Sequence, residues 1–160
     1  MAALTASRVL GTSALLSLAA LAAALVAQHG FDIRPCPWCV MQRGVFLLIA
    51  LVAGLGWLLQ RVGVIRLLSL ALSLLLSLAG MASAYYQHEV AAKLASCDMT
   101  LADRILMALD LEARWPSVFM VTASCSEASA YRLLGQPYEV WSGALFALLA
   151  LAALLALKRR

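Results

Sequence analysis

Cys36 and Cys39 close the segment Cys-Pro-Trp-Cys, and Arg43 follows the second cysteine by four residues. In redox proteins this spacing lets two sulfurs form a small, exchangeable ring. So tight a ring does little to brace a loop, because closing a long loop removes more unfolded-state entropy. Cys97 and Cys125 complete a set of four cysteines, an even number that permits two bridges in any of three pairings. Zinc is the competing chemistry, since Cys-x-x-Cys is also half of a common metal site. The other half is missing: Cys97 and Cys125 lie 28 residues apart, and His29 and His88 stand alone in the chain. Oxidised sulfurs do not ligate zinc. Thiol redox chemistry without a metal is the expectation.

The elements that must hold these sulfurs follow from composition. Of 160 residues 64% are hydrophobic and only 12% charged, and the mean hydropathy is +0.93. A soluble domain carries ~25% charged residues, so a water-facing surface is excluded, as are disorder and collagen-like structure. The net charge of +4 sits in short clusters beside apolar runs. No basic face follows a phosphate backbone, so nucleic acid is not an expected partner; a lipid bilayer is. Uncharged stretches at 9–31, 44–60, 67–88 and 140–157 run for 23, 17, 22 and 18 residues. A hydrocarbon core of ~30 Å needs about 20 helical residues, with a range of roughly 17–25. The second and fourth are short, and snorkelling of the flanking Arg and Lys would lengthen them. A secretory signal has an apolar region of only ~7–15 residues, so the first stretch reads as a retained span.

Charge orients the bundle. Segments 1–8, 61–66 and 158–160 hold six basic residues and no acid. Segments 29–43 and 88–139 hold the other six basic residues with all eight acids. The positive-inside rule then puts both termini and the 61–66 turn in the cytoplasm and the 29–43 and 88–139 loops outside. All four cysteines fall in the exported loops, in a compartment where disulfides persist. The fold expected is an all-α membrane protein, a single bundle of four transmembrane helices over residues 1–160.

The second span starts just after Cys39, near a helix N-terminus that favours an anion. Arg43 would stack beneath the sulfur on one helix face. A cation at an exported helix N-terminus opposes both the dipole and the charge rule, which favours a functional arginine over a snorkelling anchor. In the second loop, residues 101–115 read as one short amphipathic helix with Leu101, Ile105, Leu106 and Leu109 on a shared side, closed by Trp115 and Pro116. It lies flat in the membrane interface or packs on top of the bundle.

These features together resemble the DsbB family of bacterial inner-membrane disulfide bond formation proteins. The resemblance covers essentially the whole chain. It rests on Cys-Pro-Trp-Cys-Val-Met-Gln-Arg at the head of span two, Tyr-Gln-His at 86–88, Trp-Pro-Ser-Val-Phe at 115–119, Cys-Ser-Glu at 125–127, and Leu-Leu-Gly-Gln-Pro-Tyr-Glu-Val-Trp-Ser at 133–142. Gln42 stands where some members carry an acid and reads as tolerated variation.

The resemblance implies a protein-disulfide:quinone oxidoreductase. It would reoxidise DsbA, a soluble periplasmic thiol oxidant, and pass the electrons to membrane ubiquinone or menaquinone. It further implies disulfides Cys36–Cys39 and Cys97–Cys125, with Cys97 forming the mixed disulfide with DsbA and Cys36 exchanging with the loop pair. Cys39 would be the thiolate facing the quinone, Arg43 its charge partner, and His88 a residue close to the quinone. A quinone also answers a physical need, since reoxidising a strong thiol oxidant requires a sink of still higher potential.

Two rivals are weaker. A vitamin K epoxide reductase-like protein would carry its Cys-x-x-Cys after the loop cysteines, whereas here it comes first. A scaffold merely braced by bridges would hold inert disulfides.

Overall fold

Leucine- and alanine-rich stretches without an interior proline satisfy their backbone groups internally, as a lipid environment demands. In the computed structural model, which describes residues 2–93 and 99–158, they form four long helices: α1 (Ala2–Phe31), α2 (Pro37–Leu58), α3 (Gly63–Glu89) and α8 (Tyr138–Lys158). Among the described residues these four are long and apolar enough to cross a membrane. Cys97, its expected pairing with Cys125, and Arg159 and Arg160 lie outside the described residues. Between α3 and α8 the described residues form a 3-10 turn (Ala91–Lys93), four short helices and a hairpin. The short helices are α4 (Leu101–Ala108), α5 (Leu111–Arg114), α6 (Pro116–Phe119) and α7 (Cys125–Ala128), and the hairpin pairs β1 (Arg132–Leu133) with β2 (Gln136–Pro137).

The bundle is a ring in which α2 packs between α1 and α3, and α8 closes it against α3 and α1. Small residues let the helices approach. Gly56 faces Ser69 and Leu10, and Gly80 faces the Phe146 ring, so a side chain at either would strike its neighbour. Phe146 in turn stacks on Phe46, with centroids 4.1 Å apart and planes 8° from parallel. Ser77 and Ser83 donate to the Ser73 and Gly80 carbonyls of their own helix, which lets hydroxyls sit inside the bundle. Leu15, Leu51, Leu75, Leu148 and similar residues point outward, as a lipid-facing surface requires.

At the outer face two helix starts depart from the charge-delimited spans because the charged residue there is a buried partner, not a boundary marker. α2 begins at Pro37 and not near residue 44 because Arg43 is enclosed by protein. α8 likewise takes in Glu139, which is 3% exposed. The turn expected at 61–66 is displaced too, since α3 starts at Gly63 and carries Arg66.

The single helix expected over 101–115 is broken. Asp110 takes a left-handed conformation (φ 52°) between α4 and α5, which an aspartate tolerates better than most residues. The four apolar residues expected on one side are also divided. Leu106 is buried against Val40 and Phe119, whereas Leu101, Ile105 and Leu109 face outward. The hairpin turns through Leu134 and Gly135, both at positive φ, the geometry of a two-residue primed turn.

Candidate functional site

The site is assembled at the outer end of the bundle, starting from the first turn of α2. Cys36 is the helix N-cap in an extended conformation, and its sulfur accepts the Cys39 backbone N–H at 3.4 Å. Pro37 occupies the first turn, where its missing N–H costs nothing. This brings the Cys36 and Cys39 sulfurs to 2.9 Å from each other. Among the described residues no disulfide joins these sulfurs or Cys125.

Cys36 is fully buried in a cluster with Trp38, Ala91, Ala102, Cys125 and Ala128. Burial pushes the Cys36 thiol up, and hydrogen bonding with the Cys125 and Cys39 thiols acts in the same direction. Cys125 reaches it because α7 is held by a capping box: Ser124 and Glu127 exchange side-chain and backbone hydrogen bonds. The Ser124 N–H and hydroxyl hold the Glu127 carboxyl below the usual carboxylate range. The Pro35 carbonyl accepts from the Thr122 and Ala123 N–H groups at 3.0 and 3.2 Å, which ties the two loops together beside the sulfurs. The described part of the second loop thus delivers Cys125 to Cys36.

Cys39 faces the other way, into a cavity of about 430 Å³. One wall is alanine and valine from α1, with Phe46 and Leu145 from α2 and α8. Its polar groups include Cys39, Gln42, Arg43, Gln87, Glu139 and Ser142. Gln87 donates to the Cys39 sulfur at 3.1 Å. The Gln87 side-chain Oε1 accepts from the Gln42 amide at 2.7 Å, and the Ser142 hydroxyl donates to Gln42 Oε1 in turn. Gln42 and Gln87 are 4% and 0% exposed, so this chain from α8 through α2 to α3 is buried at both amides, where hydrogen bonds are strongest. Sequence reasoning missed Gln87 and took Gln42 for tolerated variation. The available signal was an uncharged amide at each of two helix ends that flank the cysteine.

Arg43 lines the same cavity as Cys39, one turn below it. Its hydrogen bonds, however, go to the Gln28 side chain, the Val118 carbonyl at 3.0 Å and the Ala24 carbonyl at 3.3 Å. It therefore clamps α1 to α6, and the hydrogen-bond donor to the sulfur is Gln87. Among the described residues no carboxylate lies within ion-pairing distance of Arg43. A buried cation without an acidic partner is costly unless something nearby carries negative charge.

His88 stands beside the cavity and not in its wall. Its side chain is 46% exposed, and its Nδ1 lies 3.2 Å from Oε1 of Glu139, whose side chain is 1% exposed. His29 pairs with the Ser117 carbonyl at 2.8 Å, another tie between α1 and the second loop. No cluster of metal-ligating side chains exists among the described residues.

The chain resembles several known proteins along its length. It is 30% identical over 149 residues to disulfide bond formation protein B of Dechloromonas aromatica, covering 89% of this chain and 87% of that one. It is 31% identical over 162 residues to the protein of the same name from Polaromonas naphthalenivorans, covering 95% and 91%. The Haemophilus influenzae protein of that name is 28% identical over 135 residues, covering 82% and 75%. The family profile for disulfide bond formation protein DsbB matches residues 6–156. With four apolar helices, a cysteine pair heading the second and a third cysteine delivered by the loop, the chain belongs to the DsbB family of membrane proteins of disulfide bond formation.

Proposed function

We propose that this protein reoxidises a DsbA-like periplasmic dithiol and delivers the electrons to a membrane quinone. One observation carries the reading. The Cys36–Cys39 pair stands between two environments, with Cys36 against Cys125 of the loop and Cys39 at the wall of an apolar cavity. A dithiol so placed passes electrons from a protein partner outside to a lipid-soluble acceptor within.

The residues fit that acceptor. Ligand pockets run from roughly 300 to 1,000 Å³ with apolar walls and a few convergent polar groups, and this cavity meets each condition. Arg43, Gln87 and Glu139 would face the polar ring, and the alanines of α1 would line its apolar part. When bound, a quinone supplies the two-electron sink.

The protein's own residues do the rest. The partner's thiolate opens the Cys97–Cys125 disulfide, and its second thiol resolves the mixed disulfide, leaving both loop cysteines reduced. A loop thiolate then attacks Cys36 of an oxidised Cys36–Cys39 pair, and Cys39 leaves as the thiolate. Three features favour an anion at Cys39: the first turn of α2, the Gln87 donor and the guanidinium of Arg43. The leaving sulfur is thus held charged on the side away from the loop. Both termini lie in the cytoplasm and the cysteines in the periplasm of a bacterial inner membrane. The outward apolar face of α4 rests on the lipid surface.

The test uses purified protein in lipid discs, with a reduced DsbA-type protein and decylubiquinone, followed by quinone absorbance. Wild type is expected to reduce the quinone and Cys39→Ser to lose the activity entirely. Full activity in Cys39→Ser would overturn the reading.

A further inference from the structure

Glu139 has two oxygens in two different settings. Oε1 meets the half-exposed ring of His88 at 3.2 Å, whereas Oε2 is buried and without a hydrogen-bond partner. The residue lines the cavity, and among the described residues it is the acid that does so. A buried polar atom left unpartnered requires an explanation. Its location supplies one: a single carboxyl group joins the cavity to a side chain that water reaches. We propose that Glu139 and His88 form a proton path from the outer surface to the cavity. Oε2 gives a proton to a reduced acceptor in the cavity, and Oε1 recovers one from His88 Nδ1. This rests on the reading that the cavity takes a quinone.

The balance is as follows. Oxidation of a dithiol to a disulfide releases two electrons and two protons, and a ring diketone becoming a diol takes up two of each. The electrons leave through Cys39. The protons, shed to water where thiols ionise outside, must re-enter an apolar pocket. At each passage the Oε2–H bond breaks, the His88 Nδ1–H bond breaks as Oε1–H forms, a half-turn of the carboxyl carries that O–H to the cavity side, and water reprotonates the imidazole at Nδ1. Two passages restore the count, and none is consumed overall.

Other titratable and charged groups frame the path. Cys39 and Arg43 of α2, Arg34 of the first loop and Tyr138 share the cavity wall. Glu89 lies 3.9 Å from His88 Nε2 on the outer side. The wall given by α1 carries no titratable group.

Protein in lipid discs, supplied with the reduced partner and decylubiquinone, tests the path. Glu139→Gln and His88→Ala are each expected to slow quinone reduction by ~10²-fold, the range for loss of a positioned acid or base. Added imidazole should restore His88→Ala but not Glu139→Gln, a pattern that misfolding does not produce. Glu139→Asp, which keeps the acid, should recover part of the rate. A readout without turnover is dicyclohexylcarbodiimide, which attacks protonated carboxyls in apolar surroundings. It should label Glu139 in quinone-free protein, as read by mass spectrometry, and decylubiquinone should protect it. Wild-type rates in Glu139→Gln, or no label on Glu139, would overturn the path while leaving the quinone reading standing. A wild-type protein that reduces no quinone would instead overturn the reading beneath it.

Discussion

At Cys39 two kinds of help for a sulfur anion differ in reach. Arg43 acts through space and spends its hydrogen bonds on Gln28, Val118 and Ala24. Gln87 acts by contact, as an amide N–H on the sulfur at 3.1 Å. A hydrogen bond to a charged group contributes ~1.5–3 kcal/mol, or about ten- to a hundredfold in an equilibrium. Gln87→Leu is therefore expected to slow iodoacetamide alkylation of Cys39 at neutral pH by at least about tenfold, measured in a Cys36→Ala background so that one sulfur is read. An unchanged rate would show that the helix terminus and Arg43 suffice. That Cys36, Cys39 and Arg43 come together at one helix end was legible from their spacing. Gln87 and Gln42 were not, because an amide is ambiguous until its two partners are known, and those lie 45 and 100 residues away from Gln42.

Elements position these residues with local devices of limited strength, and short elements are the most exposed to failure. α7 has four residues and holds Cys125 by the Ser124–Glu127 capping box. Loss of an N-cap hydroxyl costs about 1 kcal/mol, roughly fivefold in an opening equilibrium. Ser124→Ala should thus lower hydrogen-exchange protection of the Ala128 amide, which bonds the Ser124 carbonyl at 3.0 Å, by about fivefold. The pH dependence has a definite sign. Glu127 titrates lower in the folded loop than in an unfolded chain, so its contribution is complete above the ordinary glutamate value. It disappears as pH falls through the lower folded value. Protection of Ala128, corrected for intrinsic exchange, should fall on acidification in wild type and stay flat in Glu127→Gln. The four long helices were readable from hydropathy because lipid allows few alternatives. The break at Asp110 was not, since a single left-handed residue leaves the apolar periodicity of 101–115 nearly intact.

For the molecule as a whole, the direction in which the bundle sits decides whether any of this chemistry is possible. The helix packing is the same whichever way the bundle is inserted, and orientation enters only through charge. Arg61 and Arg66 flank the α2–α3 turn with no acid nearby, whereas the opposite end mixes both signs. Arg66 donates to the Gln60 carbonyl at 3.3 Å and is thereby held at that end. Lysine and arginine near short turns resist translocation, so the proposed function expects this end inside and the sulfurs outside. A cysteine introduced at Val62, in a Cys-less background, should react with a membrane-impermeant maleimide only after intact cells are opened. A cysteine introduced at Thr100, at the start of α4, should react in cells with a permeable outer membrane and a sealed inner one. Replacing Arg61 and Arg66 together by glutamate should weaken the bias and give a mixed population, seen as partial labelling at both sites. Labelling at Val62 in sealed cells of the unaltered bundle would put Cys36 and Cys39 in the reducing cytosol. There a disulfide relay to an exported partner could not run.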